Sequence, residues 1–321
     1  MVDKMERMDP REEHYRIASP HPGLTLFLRR LAPLSGHGRP VLYVHGATFP
    51  SALSVAHRFA NGSWRDTLVH AGFDVWALDF HGFGGSDRYK EMGEAPDAAG
   101  PLLLAADAAA QLDAAVRFLT ERTGSARVSL LAHSWGTAVA CLLAGQQPER
   151  TDRLVLFGPI SRRDPPRYLP RPTGPAWRLI TADAQWDRFI EDVPPGAAPV
   201  LSRAEFDEWA ERYLDSDPDS RTREPPAVAV PTGPFIEILR SWHGEMPYEP
   251  ALVRAPVCLL RGEWDGLATD GDARWLFDAF THVSEKCDVK IGRGTHLLHL
   301  EVNRSALWRE SIAFLRDAPT I

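Results

Sequence analysis

Apolar positions take two textures along the 321 residues. Short unbroken apolar runs stop abruptly at histidine, glycine or aspartate, and between them lie longer stretches in which apolar residues recur at helical spacing. Glu12 to Ala18 and Gly23 to Leu31 alternate instead, which predicts two antiparallel strands joined at Pro20-His21-Pro22-Gly23 and lying at a sheet edge. Val41-Leu42-Tyr43-Val44 and Phe73 to Phe80 do not alternate, as suits strands covered on both faces. The segment up to Ala71 is expected to be helical. Leu102 to Thr123 places Leu112, Val116 and Leu119 along one face of a helix that Gly124 stops. Another buried strand ends at Ala132, a helix-forming stretch opens at Trp135, and Arg153 to Ile160 is a further buried strand. Strand and helix alternate throughout, which predicts an α/β fold built on a mainly parallel, doubly wound sheet with right-handed crossovers.

From Ser161 to Pro250 that rhythm breaks. Roughly half of the 27 prolines fall there, and helical patterns over Trp177 to Val193, Ser202 to Leu214 and Gly233 to Trp242 follow one another with no strand between. Ser202-Arg203-Ala204-Glu205 has the form of a capping box. The reading is a helical insertion over 161–250, inside a core formed by 1–160 and 251–321. Alternation then resumes with a strand from Val257, a helix around Asp272 to Phe280, a strand from Cys287 to Ile291 and a helix from about Asn303 to Asp317.

Composition narrows the class. A hydrophobic fraction of 44% with 25% charged residues is that of an ordinary globular protein, which excludes disorder across the chain. The net charge is −7 and the basic residues form no dense run, so nucleic acid is not an expected partner. Cys141, Cys258 and Cys287 make an odd set without Cys-x-x-Cys spacing, which predicts neither zinc nor disulfides but buried thiols of a reducing compartment. Met1 to Tyr15 is strongly charged, unlike a signal peptide, and no apolar run has the length to span a bilayer. The expectation is a cytoplasmic protein without membrane attachment; its oligomeric state stays open.

Ser134 stands in a one-residue turn between the strand ending at Ala132 and the helix opening at Trp135. Such a nucleophile elbow holds the serine at strained backbone angles and needs small neighbours, because strand and helix nearly touch. Ala132 and Gly136 supply them. At these residues the chain resembles the α/β-hydrolase superfamily, whose elbow reads G-x-S-x-G; here the first glycine is alanine, a departure of one methyl group. Reactive groups in such sheets gather at the carboxyl ends of strands. His45-Gly46-Ala47, Ser134, Asp265 and His296 all follow strands, and the order Ser, Asp, His is that of this fold. The resemblance covers the chain apart from the insertion, whose counterpart in the family is a variable helical cap.

Ser134 needs a base to take its proton as it attacks. The candidate is His296, which matches the family's Gly-x-His-x-x-x-x-Glu ending in Gly294 to Glu301. His299, three residues on, is the rival and reads as a packed residue. Asp265 closes the Gly-x-x-Asp tail of Gly262-Glu263-Trp264-Asp265 and would orient the imidazole, while Asp270 and Asp272 are better explained as the start of the next helix. The resemblance implies an oxyanion hole from the backbone N–H groups of Ala47 and Trp135. His133 is assigned to packing or hydrogen bonding. The glycines from Gly82 to Gly85 precede no Lys-Ser/Thr pair and are no phosphate cradle.

A serine at the elbow argues against haloalkane dehalogenases and epoxide hydrolases, which attack with aspartate there. His45-Gly46-Ala47-Thr48 also lacks the His-Gly-Gly-Pro-Gly of proline iminopeptidases. The leading reading is a serine hydrolase acting on a small-molecule carboxylic ester, with no metal or organic cofactor. Carbon–carbon, lactone or amide cleavage by the same triad is the alternative, and a non-catalytic ligand-binding protein is a distant third. Thr48, Phe49, Trp177, Trp186, Trp209, Phe235 and Trp242 are candidates for the pocket. The insertion has 11 Arg, no Lys and 16 acidic residues, so a neutral, largely apolar ester is expected. The cluster Arg162, Arg163, Arg167 and Arg171 reads as a solvated hinge face.

Overall fold

The structure is a computed structural model that describes residues 9–163 and 173–316. Eight strands form the main sheet: β1 (Glu13–Ala18), β2 (Thr25–Leu31), β3 (Arg39–Val44), β4 (Phe73–Asp79), β5 (Val128–His133), β6 (Thr151–Phe157), β9 (Val257–Gly262) and β10 (Lys286–Ile291). Two more, β7 (Trp177–Thr181) and β8 (Ala227–Pro231), pair antiparallel as a separate ribbon. The main sheet runs β1-β2-β4-β3-β5-β6-β9-β10. β1 and β2 are antiparallel to their neighbours and the rest of the sheet is parallel. This is the mainly parallel, doubly wound α/β sheet that the apolar runs predict.

The helices are α1 (Trp64–His70), α2 (Ala105–Thr123), α3 (Trp135–Gln146), α4 (Ala182–Ile190), α5 (Arg203–Leu214), α6 (Gly233–Trp242), α7 (Asp270–Ala279) and α8 (Arg304–Arg316). β3, β4 and β5 are buried almost throughout, and apolar clusters lie on both faces of the sheet, one against α2 and α3, the other against α1 and α8. Covering on both faces is why those strands are apolar without alternation. The chain runs outward from β3 to β4 and then returns to β5 on the other side of β3. The crevice beyond the carboxyl ends of β3 and β5 is therefore the topological switch point of the sheet, where this architecture leaves room for a ligand.

Several expectations needed correction. Trp177 to Val193 is not one helix: Trp177–Thr181 is strand β7, and α4 begins only at Ala182, capped by the Thr181 side chain. The partner strand lies some fifty residues away, so local periodicity carried no sign of the pairing. The insertion is consequently mixed α/β. α2 starts at Ala105, because Leu103 takes a positive φ of 61° and breaks the turn before it. The segment before Ala71 is mostly irregular, with one 3-10 turn over Ser51–Leu53 ahead of α1. Asp317, the expected end of the last helix, lies outside the described residues.

Candidate active site

Ser134 sits between β5 and α3 with φ 57° and ψ −131°, a backbone conformation that costs on the order of 1–3 kcal/mol and persists only where packing imposes it. Packing does so here. Its N–H donates to the carbonyl of Phe157 at 2.9 Å. A Cβ on Gly136 would stand 2.4 Å from the His45 carbonyl oxygen, so any larger residue would push α3 off the loop after β3. Ala132, at the other small position of the elbow, is fully buried within β5, and its methyl group is accommodated.

His296 and Asp265 arrive from loops after β10 and β9. His296 Nε2 is 2.8 Å from Ser134 Oγ, and its Nδ1 is 3.0 Å from both carboxylate oxygens of Asp265. With Nδ1–H donating to the carboxylate, Nε2 is left as an acceptor aimed at the serine hydroxyl. Asp265 Oδ1 also accepts from the backbone N–H groups of Leu267 and Ala268, each at 2.9 Å. All three side chains are buried. Gly158, at φ 56°, backs the pair: a Cβ there would meet His296 Cε1 at 2.8 Å.

The neighbouring histidines have other duties. His133 donates from Nε2 to the His296 carbonyl at 3.0 Å and stacks on Phe157, so it both packs and hydrogen-bonds. His299 lies against His133, Phe49 and Phe157, and neither ring nitrogen has a partner among the described residues. Burial holds both rings well below the usual imidazole range and therefore neutral. Asp272 completes a capping box with Thr269 at the start of α7, and Asp270 pairs with Arg261 and Lys290.

The loop after β3 closes the other side. His45 donates from Nδ1 to the Gly46 carbonyl and accepts the Phe80 N–H at Nε2, which fixes the turn carrying Ala47. A Cβ on Gly46 would lie 3.0 Å from Ser134 Cβ, so this turn rests on the turn at Ser134. Ala47, Thr48 and Phe49 line a small cavity of about 10 Å³ with Ser134, Arg188 and Leu297. That is space for about one water.

The aromatic residues of the insertion expected in the pocket do not line this cavity. Trp209 comes nearest, packing edge-on against Phe49 with its ring centre 5.2 Å away and donating Nε1 to the Leu53 carbonyl. Trp177 donates to the Glu94 carbonyl, Trp186 packs on Phe206, Phe235 lies under Arg178, and Trp242 lies under Arg163. These side chains join the insertion to the core or cover its surface, as the larger packing demand requires. Arg162 and Arg163 stack on Trp275 and Trp242 in a separate surface hollow beside α7; Arg167 and Arg171 lie outside the described residues.

Two residues escaped the sequence reading. Arg188, on α4, reaches the cavity and donates to Thr48 Oγ1 at 2.7 Å. Glu237, on α6, is buried, accepts the Trp135 indole N–H at 2.9 Å and the Ala105 N–H at 2.7 Å, and has its carboxyl pushed up by burial. Neither belongs to a motif; each lies on an amphipathic helix whose contacts only the fold decides.

A doubly wound sheet with serine, histidine and aspartate joined at its strand ends defines a class, and the family comparison agrees. The α/β hydrolase fold model matches residues 39–301, and the chain belongs to that family. Human lipase member N is 28% identical over 118 residues, which are 37% of this chain and 30% of the lipase. Human lysosomal acid lipase/cholesteryl ester hydrolase is 27% identical over 164 residues, 47% of this chain and 40% of the lipase. The matched segments thus span less than half the length of these relatives. Among solved structures, a thioesterase domain from the curacin biosynthetic pathway has a TM-score of 0.61 at 17% identity, covering 94% of this chain and 99% of that one. An epoxide hydrolase from Vigna radiata has 0.61 at 16%, covering 95% and 98%. At such identities these likenesses concern the fold.

Among the described residues no helix is long and apolar enough to cross a membrane, and no cluster of His, Cys, Asp and Glu has the form of a metal site.

Proposed function

We propose that the chain is a serine hydrolase that cleaves a carboxylic ester through an acyl-enzyme. The observation that carries this reading is the continuous hydrogen-bonded line from Asp265 through His296 to Ser134 Oγ. Ser134 Oγ attacks the ester carbonyl carbon while its proton passes to His296 Nε2. Asp265 holds the imidazole in the tautomer that can accept that proton and stabilises the imidazolium that results. The oxyanion of the tetrahedral intermediate is taken by the backbone N–H groups of Ala47 and Trp135, at the turn after β3 and the first position of α3. Collapse expels the alcohol, which carries away the proton from His296, and water repeats the sequence on the acyl-enzyme with His296 as base.

Serine at the elbow separates this reading from epoxide hydrolysis despite the shared fold, and the lipase relatives favour an ester over other acyl compounds. The 161–250 segment serves as the cap over the site. Three free thiols fit a reducing, cytoplasmic setting. The test is labelling by an uncharged organophosphonate, located by peptide mass spectrometry. Stoichiometric modification of Ser134, abolished in His296→Ala, is expected; a wild-type protein that stays unmodified would overturn the assignment.

A further inference from the structure

The charge in the cavity is the feature that ester hydrolysis alone does not require. Arg188 is half-buried on α4, and its side chain reaches a space whose other lining residues, Gly46 to Phe49, His133, Ser134 and Leu297, include no carboxylate. Its hydrogen-bond acceptors are neutral: Thr48 Oγ1 at 2.7 Å and, more weakly, Gln185 Oε1 at 3.4 Å. Among the described residues no carboxylate forms an ion pair with it. Glu191 and Asp192 follow on the same segment and attract the guanidinium without contacting it, and Asp192 is engaged by the Gly266 N–H. Burying a cation without a contacting anion is costly, and such groups are ordinarily paired. The missing partner is best supplied from the cavity itself.

Resting on the reading of Ser134 as nucleophile, we propose that Arg188 is a specificity residue that binds a carboxylate on the acyl part of the substrate. The substrate class is then the half-ester of a short dicarboxylic acid. Bidentate geometry suits guanidinium to carboxylate, and both groups are taken out of water together. The cavity, with space for about one water, must widen to admit such a substrate, which favours a chain of only a few atoms between the two carbonyl carbons. The negative total charge of the protein does not oppose this. Exposed charges more than about 8 Å apart are largely screened at physiological salt, whereas a contact inside a closed site is not. A fixed cation beside the serine therefore outweighs the acidic surface around it.

The experiment compares monomethyl succinate with methyl 4-methylpentanoate, a neutral ester of the same shape, by pH-stat titration. Wild type is expected to favour the half-ester in kcat/KM. Arg188→Gln should lose on the order of 10- to 100-fold on the half-ester, the range for a hydrogen bond to a charged group, and no more than about threefold on the neutral ester. Arg188→Lys should retain part of the preference. A purely structural Arg188 would lower both substrates together, and that outcome, or wild-type preference for the neutral ester, overturns the proposal.

A second measurement uses the unaltered protein. Free succinate should protect Ser134 from the uncharged phosphonate at concentrations where the neutral 4-methylpentanamide does not. Equal protection by acid and amide counts against the carboxylate site while Ser134 remains labelled. Absence of labelling without any acid would instead remove the nucleophile assignment beneath it.

Discussion

The indole Nε1–H of Trp135 donates to Glu237 Oε2 at 2.9 Å, tying the residue after Ser134 to a helix 102 positions later in the chain. The same carboxylate oxygen accepts the Ala105 N–H at the start of α2. One buried carboxylate thus joins the insertion, the elbow helix and a core helix. Glu237→Ala leaves two buried donors without an acceptor and should cost on the order of 1–3 kcal/mol per donor, read from urea unfolding. Glu237→Gln, which keeps an acceptor oxygen, should cost less; equal losses would show that the donors find other partners.

Ser134→Ala removes the hydroxyl but keeps the Cβ, and with it the backbone conformation and the packing around it. Turnover should fall by on the order of 10⁴-fold or more while thermal stability is kept. A variant retaining a tenth of wild-type activity would exclude Ser134 as nucleophile.

Asp265→Asn should separate orientation from charge. The amide can still accept from Leu267 and Ala268, yet it cannot stabilise an imidazolium and favours the wrong histidine tautomer. A fall in kcat of about 10⁴-fold with near-native stability is expected. Circular dichroism alongside steady-state kinetics distinguishes this from unfolding.

The two histidines should part cleanly. His296→Ala should abolish turnover. His299→Leu should leave kcat near wild type and hold or raise the melting temperature, because it replaces an imidazole with no partner among the described residues by an apolar side chain. Loss of activity in His299→Leu with full activity in His296→Ala would exchange their roles.

Glu301 offers a pH test of stability close to His296. It accepts the Thr295 N–H at 3.0 Å and the Thr295 hydroxyl, and burial pushes its carboxyl up to about 7 from the ordinary 4.5. A carboxyl raised in the folded state adds stability that is complete below the unfolded value and lost as pH rises through about 7. Buried neutral His133 and His299 act in the opposite direction, so the comparison must be between wild type and Glu301→Gln at each pH. Near pH 4.5 the two should melt together; by pH 8 the variant should be the more stable, by an amount on the order of 3 kcal/mol. A difference independent of pH would show that Glu301 is not the titrating group.

The sequence alone determined the strands of the sheet and the places of Ser134, Asp265 and His296 after them, because both are written in local pattern. Unbroken apolar runs mark doubly covered strands, and the turn at Ser134 constrains its neighbours to small residues within two positions. The loops bearing Asp265 and His296 follow their strands directly, and strands that run parallel all end at one edge of the sheet. What the tertiary structure decided was everything that depends on pairing across long separations. Strand β7 exists only because Ala227–Pro231 lies beside Trp177–Thr181, and the Cys258 and Cys287 thiols stand opposite one another only because β9 and β10 pair in that register. Aromatic residues on amphipathic helices pack equally well against a neighbour or a ligand, so composition pointed to Trp177, Trp186, Phe235 and Trp242 while the cavity received Arg188. A long side chain reaches whatever its helix faces, and the facing of α4 is set by the docking of the whole insertion, which no local stretch of sequence encodes.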